Sequence, residues 1–264
     1  MTDHATMPPM SQQTRDDSEA GQAWDAARLS APHVQPDKAD RVRRMFDAIA
    51  PTYELVNRLG SAGRDACWRR DMVRLASVRA DDVLLDVACG TGDVARAFAA
   101  GPVRPSRIVG VDFSERMLAI AARRPINRGL FVCGDALRLP VADGSASLVT
   151  CAFGIRNFQD LSAGWREMHR VLCDGGRAVV LEFSIPETPI LRRLYLFYFR
   201  RILPLAAALV SRDRSGAYRY LPQSVLSFAG ENTIRSTLMS AGFSDVTVHR
   251  RSGGIVALYV AVRR

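Results

Sequence analysis

Three acids and a glycine-rich turn hold most of the chemistry in this sequence. Leu84–Val94 reads LLDVACGTGDV. An apolar strand ends near an acid, Asp86. The small-residue turn Ala88-Cys89-Gly90-Thr91-Gly92 follows, and Asp93 opens a helical pattern. Glycines let the backbone turn tightly and approach a ligand, and free N–H groups at a helix start receive polar or anionic groups. Gly90 to Ala95 fits the dinucleotide fingerprint GxGxx(G/A), and Asp112 follows Gly92 by about 20 residues, where an acid binds ribose hydroxyls. These residues admit both NAD and S-adenosylmethionine, since each carries an adenosine ribose. A tight turn without a ligand is the bland alternative.

Three features favour S-adenosylmethionine. Gly134-Asp135-Ala136 follows the third strand, where a carboxylate can accept the adenine amino group. Two strands near the C-terminus form a hairpin foreign to a plain dinucleotide domain. No separate catalytic domain is visible after Phe183.

The elements that must position these residues alternate. Strands are expected at 83–87, 108–111, 130–133, 146–152 and 177–183, with helices at 94–99, 115–123 and 161–172 between them. That alternation argues for βαβ units around a buried parallel sheet. A helix at 231–241 then leads to strands at 245–249 and 255–262, joined by a glycine-containing link. Residues 1–39 are expected to be a disordered polar tail, 40–80 a helical cap, and 186–228 a helical insertion within a single domain, 40–264. In the insertion, Ile190–Val210 is apolar but is punctuated by Arg192, Arg193, Arg200 and Arg201 and broken by Pro204, with Arg212 and Arg214 following. It reads as short helices that cover a site, line a greasy channel and touch a membrane surface, or as an ordinary packed insertion.

Composition narrows the class. The chain has 264 residues, 48% of them apolar, and a net charge of +9. Lys38 is the only lysine. No arginine block with interleaved aromatics suggests nucleic acid, so no nucleic-acid partner is expected. Five scattered cysteines without a CxxC pair read as buried reduced thiols of a cytoplasmic protein, with no metal site.

Together these motifs resemble the ubiquinone/menaquinone biosynthesis C-methyltransferases, a branch of the class I S-adenosylmethionine-dependent methyltransferases, from about Val42 to Arg264. Tyr53-Glu54-Leu55-Val56-Asn57 with Ser61 and Trp68 is similar to the family's first signature. Arg170-Val171-Leu172, Gly175-Gly176 and Leu181-Glu182-Phe183-Ser184 are similar to its second. Ala152–Asn157 and Tyr218–Leu221 are further family-like stretches, and Ala88 replaces the usual first glycine in the form seen in this family. Glu54 stands where an aspartate is usual, Asp65 where a signature histidine is, and Cys173-Asp174 where a basic residue and proline are.

The resemblance implies an α/β fold: a doubly wound, mostly parallel seven-stranded, Rossmann-like sheet with a C-terminal antiparallel hairpin and a helical lid. It implies cofactor contacts from Thr91, Asp112, Asp135 and Ala136; the turn itself adds Asp86, Gly90 and Gly92. The implied substrate is a prenylated quinol. The menaquinone branch (demethylmenaquinol to menaquinol) is favoured over methylation of a polyprenyl methoxybenzoquinol. A different small-molecule methyltransferase, an NAD-dependent oxidoreductase and an inactive partner subunit stay open. The expected location is the cytoplasm, with contact at the inner face of the membrane, and a homodimer is allowed.

Methyl transfer to a ring carbon requires alignment and an adjacent phenolate. Arg156, after the fourth strand, is the leading candidate for a cation beside that phenolate, against a solvated loop arginine. Asn157 is a candidate to orient a hydroxyl or water, against a turn residue, and Tyr53 to cap cofactor or ring, against ordinary packing. Tyr218 and Tyr220 are expected to pack, and His169 to be a half-buried structural histidine. Glu182 is read either as reaching the crevice or as a structural hydrogen-bond partner.

Overall fold

A computed structural model describes residues 24–202 and 216–264. Seven strands form one sheet: β1 (Val83–Val87), β2 (Arg107–Asp112), β3 (Gly129–Cys133), β4 (Ala146–Ala152), β5 (Leu172–Phe183), β6 (Phe243–Arg251) and β7 (Val256–Arg263). Their order is β3-β2-β1-β4-β5-β7-β6. The first five run parallel, and β7 is antiparallel to both β5 and β6. This is the doubly wound sheet and terminal hairpin that the residue pattern implies.

Central strands are apolar on both faces because helices cover both. Leu85, Val87, Val149 and Cys151 pack beneath Trp165 and Met168 of α7 (Leu161–Val171) and Leu238 of α10 (Glu231–Ser240). Leu84, Leu148 and Val179 face Trp68 and Met72 of α4 (Arg64–Leu75) and Phe98 of α5 (Asp93–Ala99). Truncating such a buried leucine to alanine costs about 2–5 kcal/mol.

The edge of the sheet away from the glycine turn is pinned by a buried ion pair. Arg177 Nη2 lies 2.5 Å from Asp82, which also accepts hydrogen bonds from the Arg79 amide and the Ser147 hydroxyl. Burial works to raise the Asp82 carboxyl, but these donors hold it below its usual range. Losing one partner would leave a buried charge uncompensated, at about 3–5 kcal/mol.

Several boundaries differ from expectation. The expected polar tail, 1–39, lies outside the described residues up to residue 23, but Trp24 is fully buried and stacks on Tyr220 at 4.4 Å. Short helical turns at α1 (Ala26–Leu29) and Pro32–Val34 lead into α2 (Lys38–Ile49). The buried ammonium of Lys38 donates to the Phe158 carbonyl at 2.5 Å, and burial lowers its pKa to about 8. These contacts reach across the chain, so no local pattern announces them. α3 (Tyr53–Gly60) and α4 complete the cap.

The helix expected through residue 172 ends at Val171, and β5 begins at once instead of after the glycine pair. The cysteines are free but not uniformly buried: Cys89 and Cys151 are, whereas Cys67 and Cys133 are exposed. His169 is half-buried against Phe243, as a structural residue would be. The insertion supplies α8 (Pro189–Phe197), a π-turn at Tyr198–Ile202 and α9 (Ala217–Leu226). Pro204, Arg212, Arg214 and the Tyr218 side chain lie outside the described residues.

Candidate active site

The parallel strands end at one edge of the sheet, so the loops after β1, β2, β3 and β4 meet there. Between β1 and β4 the winding reverses, which opens a crevice. The glycine turn fills its floor. Ala88, Gly90 and Gly92 take left-handed φ values of 54°, 54° and 83°. For Ala88 this costs about 1–2 kcal/mol. The neighbouring Cys89 amide is fixed on the Val111 carbonyl at 3.1 Å.

Asp112, at the end of β2, holds the turn. One carboxylate oxygen accepts the Gly90 amide at 2.8 Å and the other accepts the Ser114 amide at 2.9 Å. Burial pushes its pKa up to about 6, against the pull of those amides. The carboxylate also lines the crevice, where it can accept a ligand hydroxyl.

Two lobes open from the turn and share Phe46, Tyr53, Ala88, Gly90, Ala152 and Phe153. The first encloses about 750 Å³, counted with its mouth, between Asp112, Asp135, Ala136 and the apolar Phe113, Met117 of α6 (Glu115–Ala122) and Leu137. Two carboxylates flanking an apolar slot match a ribose and an adenine, so these residues fit the adenosyl part of S-adenosylmethionine. Asp135 is exposed, with one oxygen on the Leu137 amide at 2.9 Å.

The second lobe encloses about 1180 Å³ by the same measure. Its wall is aromatic: Phe153 and Phe183 lie 4.5 Å apart, Phe183 and Phe199 5.9 Å, and Trp68 and Phe153 6.1 Å. Phe183 ends β5, so the strand-end rule could have found it; Phe199 sits in the π-turn, where sequence periodicity gives no signal.

Thr91 and Gly90 line the second lobe, whereas Asp112, Asp135 and Ala136 line the first. Two expected cofactor residues do not line either lobe. Asp86 lies under the turn, 1% exposed, and accepts the Thr150 hydroxyl at 2.7 Å. Burial raises its pKa to about 7. Gly92 serves the backbone: it caps α5, and a Cβ there would meet the Phe131 ring at 2.8 Å.

Tyr53 stands at the junction of the lobes, and burial raises its phenol so that it stays neutral. Arg156 is no solvated loop residue. It is 6% exposed, 2.7 Å from Glu182, and 5.3 Å above the Phe183 ring. Its charge is therefore already balanced, and Glu182 has the structural role that was one of its two expectations. Asn157 is committed as well: its amide donates to the Phe153 carbonyl and its oxygen accepts the Tyr220 hydroxyl at 3.0 Å. Tyr220 packs, as expected, and also lines the aromatic lobe. Asp65, at the signature-histidine position, and Arg69 line that lobe too. Glu54 pairs with Arg124.

The sequence profile of the ubiE/COQ5 methyltransferase family matches residues 34–263. A Thermus thermophilus protein named demethylmenaquinone methyltransferase is 44% identical over 225 residues, which cover 83% of this chain and 100% of that one. A Geobacter sulfurreducens protein named ubiquinone/menaquinone biosynthesis C-methyltransferase UbiE is 42% identical over 228 residues, covering 84% and 88%. Among solved structures, the cyclase SpnF superposes with a TM-score of 0.61 at 17% identity over 85% of this chain and 96% of that one. Phosphoethanolamine N-methyltransferase 2 of Haemonchus contortus, solved with S-adenosylhomocysteine, gives 0.59 at 14% identity over 86% and 59%. These two likenesses concern the fold alone. With its profile matched over nearly the whole domain and relatives above two-fifths identity, the chain belongs to the ubiE/COQ5 methyltransferase family.

Proposed function

We propose that this protein methylates a ring carbon of a prenylated quinol, with demethylmenaquinol as acceptor and S-adenosylmethionine as donor. The observation that carries this reading is the two-lobed cleft, lined by Asp112 and Asp135 on one side of Gly90 and by aromatic rings on the other. When bound, the donor supplies a methyl carbon made electrophilic by its sulfonium. Asp112 and Asp135 hold its ribose and adenine, Ala136 borders the adenine, and Gly90 and Thr91 lie along its path. Ala152 presents only backbone and a methyl group at the junction.

The chain's main task is alignment, because a one-step displacement needs sulfur, methyl and acceptor carbon in line. Trp68, Phe153, Phe183 and Phe199 clamp a flat ring and exclude water. Tyr53 caps the point where the lobes meet. Ring carbon becomes nucleophilic when the adjacent hydroxyl loses its proton, which calls for the reduced quinol. The Arg156–Glu182 pair sets a guanidinium in this wall without a net buried charge, and its donors stabilise the phenolate oxygen as it forms. Asn157 positions Tyr220 and so shapes the same wall.

The prenyl tail leaves past α3 and α8. Tyr198 ties these elements by donating to the Gly60 carbonyl at 2.7 Å. Leu55 and Leu59 of α3 and Ile190, Leu194 and Phe197 of α8 are exposed beside the exposed Arg192, Arg193, Arg200 and Arg201. Apolar side chains with cations between them suit the surface of an anionic bilayer. Among the described residues no helix is long and apolar enough to cross a membrane.

The quinone content of cells lacking the protein tests the reading. Demethylmenaquinone is expected to accumulate and to disappear on complementation. An unchanged menaquinone pool would contradict the proposal, and accumulation of an unmethylated benzoquinone would move it to the ubiquinone branch.

A further inference from the structure

Lys38 opens α2 and is 2% exposed, yet among the described residues no ion pair joins its ammonium to a carboxylate. Its Nζ donates to the Phe158 carbonyl at 2.5 Å. The Ala39 amide donates to the Gln159 side chain at 3.0 Å, and Gln159 donates back to the Gln35 carbonyl at 3.0 Å. These bonds clasp residues 158–159, which follow directly on the turn Ile155–Asn157. That turn carries Arg156 into the wall of the aromatic lobe and Asn157 onto Tyr220. A clasp alone needs no charge: a neutral amide would bond the same carbonyl, and burying an ammonium without a counter-ion is costly. The groups around Lys38 do not supply one. Arg156 repels it. His33, on the turn before α2, has its pKa lowered by burial and by both cations, so it is neutral. Burial keeps the Tyr220 phenol of α9 neutral. Asp37 is paired with Arg41, Glu182 with Arg156, and Asp112, on the lobe that Ala39 also lines, with the Gly90 and Ser114 amides. α6 meets α2 toward its other end, through Ser114 on Asp47. Lys38 and Arg156 thus stand against one carboxylate, Glu182, and the buried Arg156 Nε has no hydrogen-bond partner among the described residues.

We propose that Lys38 is a positioning residue of methyl transfer: its ammonium holds the Arg156 turn through the Phe158 carbonyl and leaves that wall one positive charge in excess, which the quinol meets as it becomes a phenolate. The proposal rests on the quinol reading above. The acceptor turns anionic only on the way to the transition state, so a standing positive charge favours that state over the bound, neutral quinol. Lys38 itself lines neither lobe, so it acts through the turn and through its field. Burial, with the repulsion of Arg156, lowers its pKa to about 8. The ammonium is present below that pH and becomes a neutral amine above it. The bond to Phe158 then loses its charge assistance, and the excess positive charge disappears.

Lys38 is the only lysine of the chain, so labelling lysine with carbon-13 at Cε gives one NMR signal that reports its protonation directly. That titration is set beside kcat for methyl transfer to chemically reduced demethylmenaquinone, both followed from about pH 6 to about pH 10. In the wild type kcat should fall as the signal titrates, near pH 8. Lys38→Arg keeps its charge over the whole range. It should hold kcat within about threefold at the acid end and lose the alkaline fall. Lys38→Met should lower kcat by about 10- to 100-fold, lose the same fall, and leave KM for S-adenosylmethionine within about threefold. The wild type and Lys38→Arg decide the matter if Lys38→Met does not fold. A kcat that stays level while the signal titrates, a fall that persists in Lys38→Arg, or a Lys38→Met variant with full kcat overturns the proposal while the quinol reading stands. A wild type that transfers no methyl group overturns both.

Discussion

Asp86 and Asp112 show how residue type and residue role part company. Both are buried acids near the ends of neighbouring strands. The structure turns Asp86 under the glycine turn, where Thr150 receives it, and turns Asp112 toward the crevice, where it holds Gly90 and still faces a lobe. A sequence names the acid but not its depth, since depth depends on how β1 and β2 sit under the turn. Burial raises both carboxyls from 3.8, to about 7 for Asp86 and to about 6 for Asp112. Each then holds its proton more tightly folded than unfolded. Their contribution to stability is therefore fullest at low pH and falls as pH rises through the folded values. Thermal unfolding without cofactor checks this. The stability of Asp86→Asn relative to wild type should grow as pH rises toward about 7 and then level off. A difference independent of pH would place the Asp86 carboxyl at its ordinary value. Arg156 and Asn157 lie in the loop the sequence pointed to, but Glu182 and Tyr220, their partners, come from distant elements that spacing cannot pair.

At the scale of elements, β1 and β4 were legible to the residue because apolar runs end at turn-forming residues. The start of β5 was not, because Gly175-Gly176 lies within the strand instead of before it. Segment 24–39 was also misread: its polar composition conceals Trp24 and Lys38, whose partners Tyr220 and Phe158 are far away in sequence. α8 was legible as an unusual stretch, and the structure adds which face is free. Tyr195 turns inward, while Ile190, Leu194 and Phe197 turn out. Flotation with vesicles containing anionic lipid should recover the wild type. Charge reversal at Arg200 and Arg201 together with Phe197→Ser should abolish recovery, while binding of S-adenosylhomocysteine stays unchanged. Undiminished flotation of that variant would leave the exposed face of α8 without a membrane role.

For the whole molecule, the order β3-β2-β1-β4 brings four loops to one edge and so builds both lobes from segments spread along the chain. The alternation of strands and helices made that edge readable in advance; the closure of the aromatic lobe was not, because its walls come from the cap, β4, β5 and the insertion at once. We propose that the aromatic lobe presents a ring carbon, rather than an oxygen, to the methyl donor. The most direct measurement uses purified protein, S-adenosylmethionine carrying a carbon-13 methyl group, and a chemically reduced demethylmenaquinone. Carbon-13 NMR of the product should show the label as a methyl group bonded to ring carbon. Label on oxygen as a methoxy group, or no transfer while the donor binds, would contradict methylation at ring carbon.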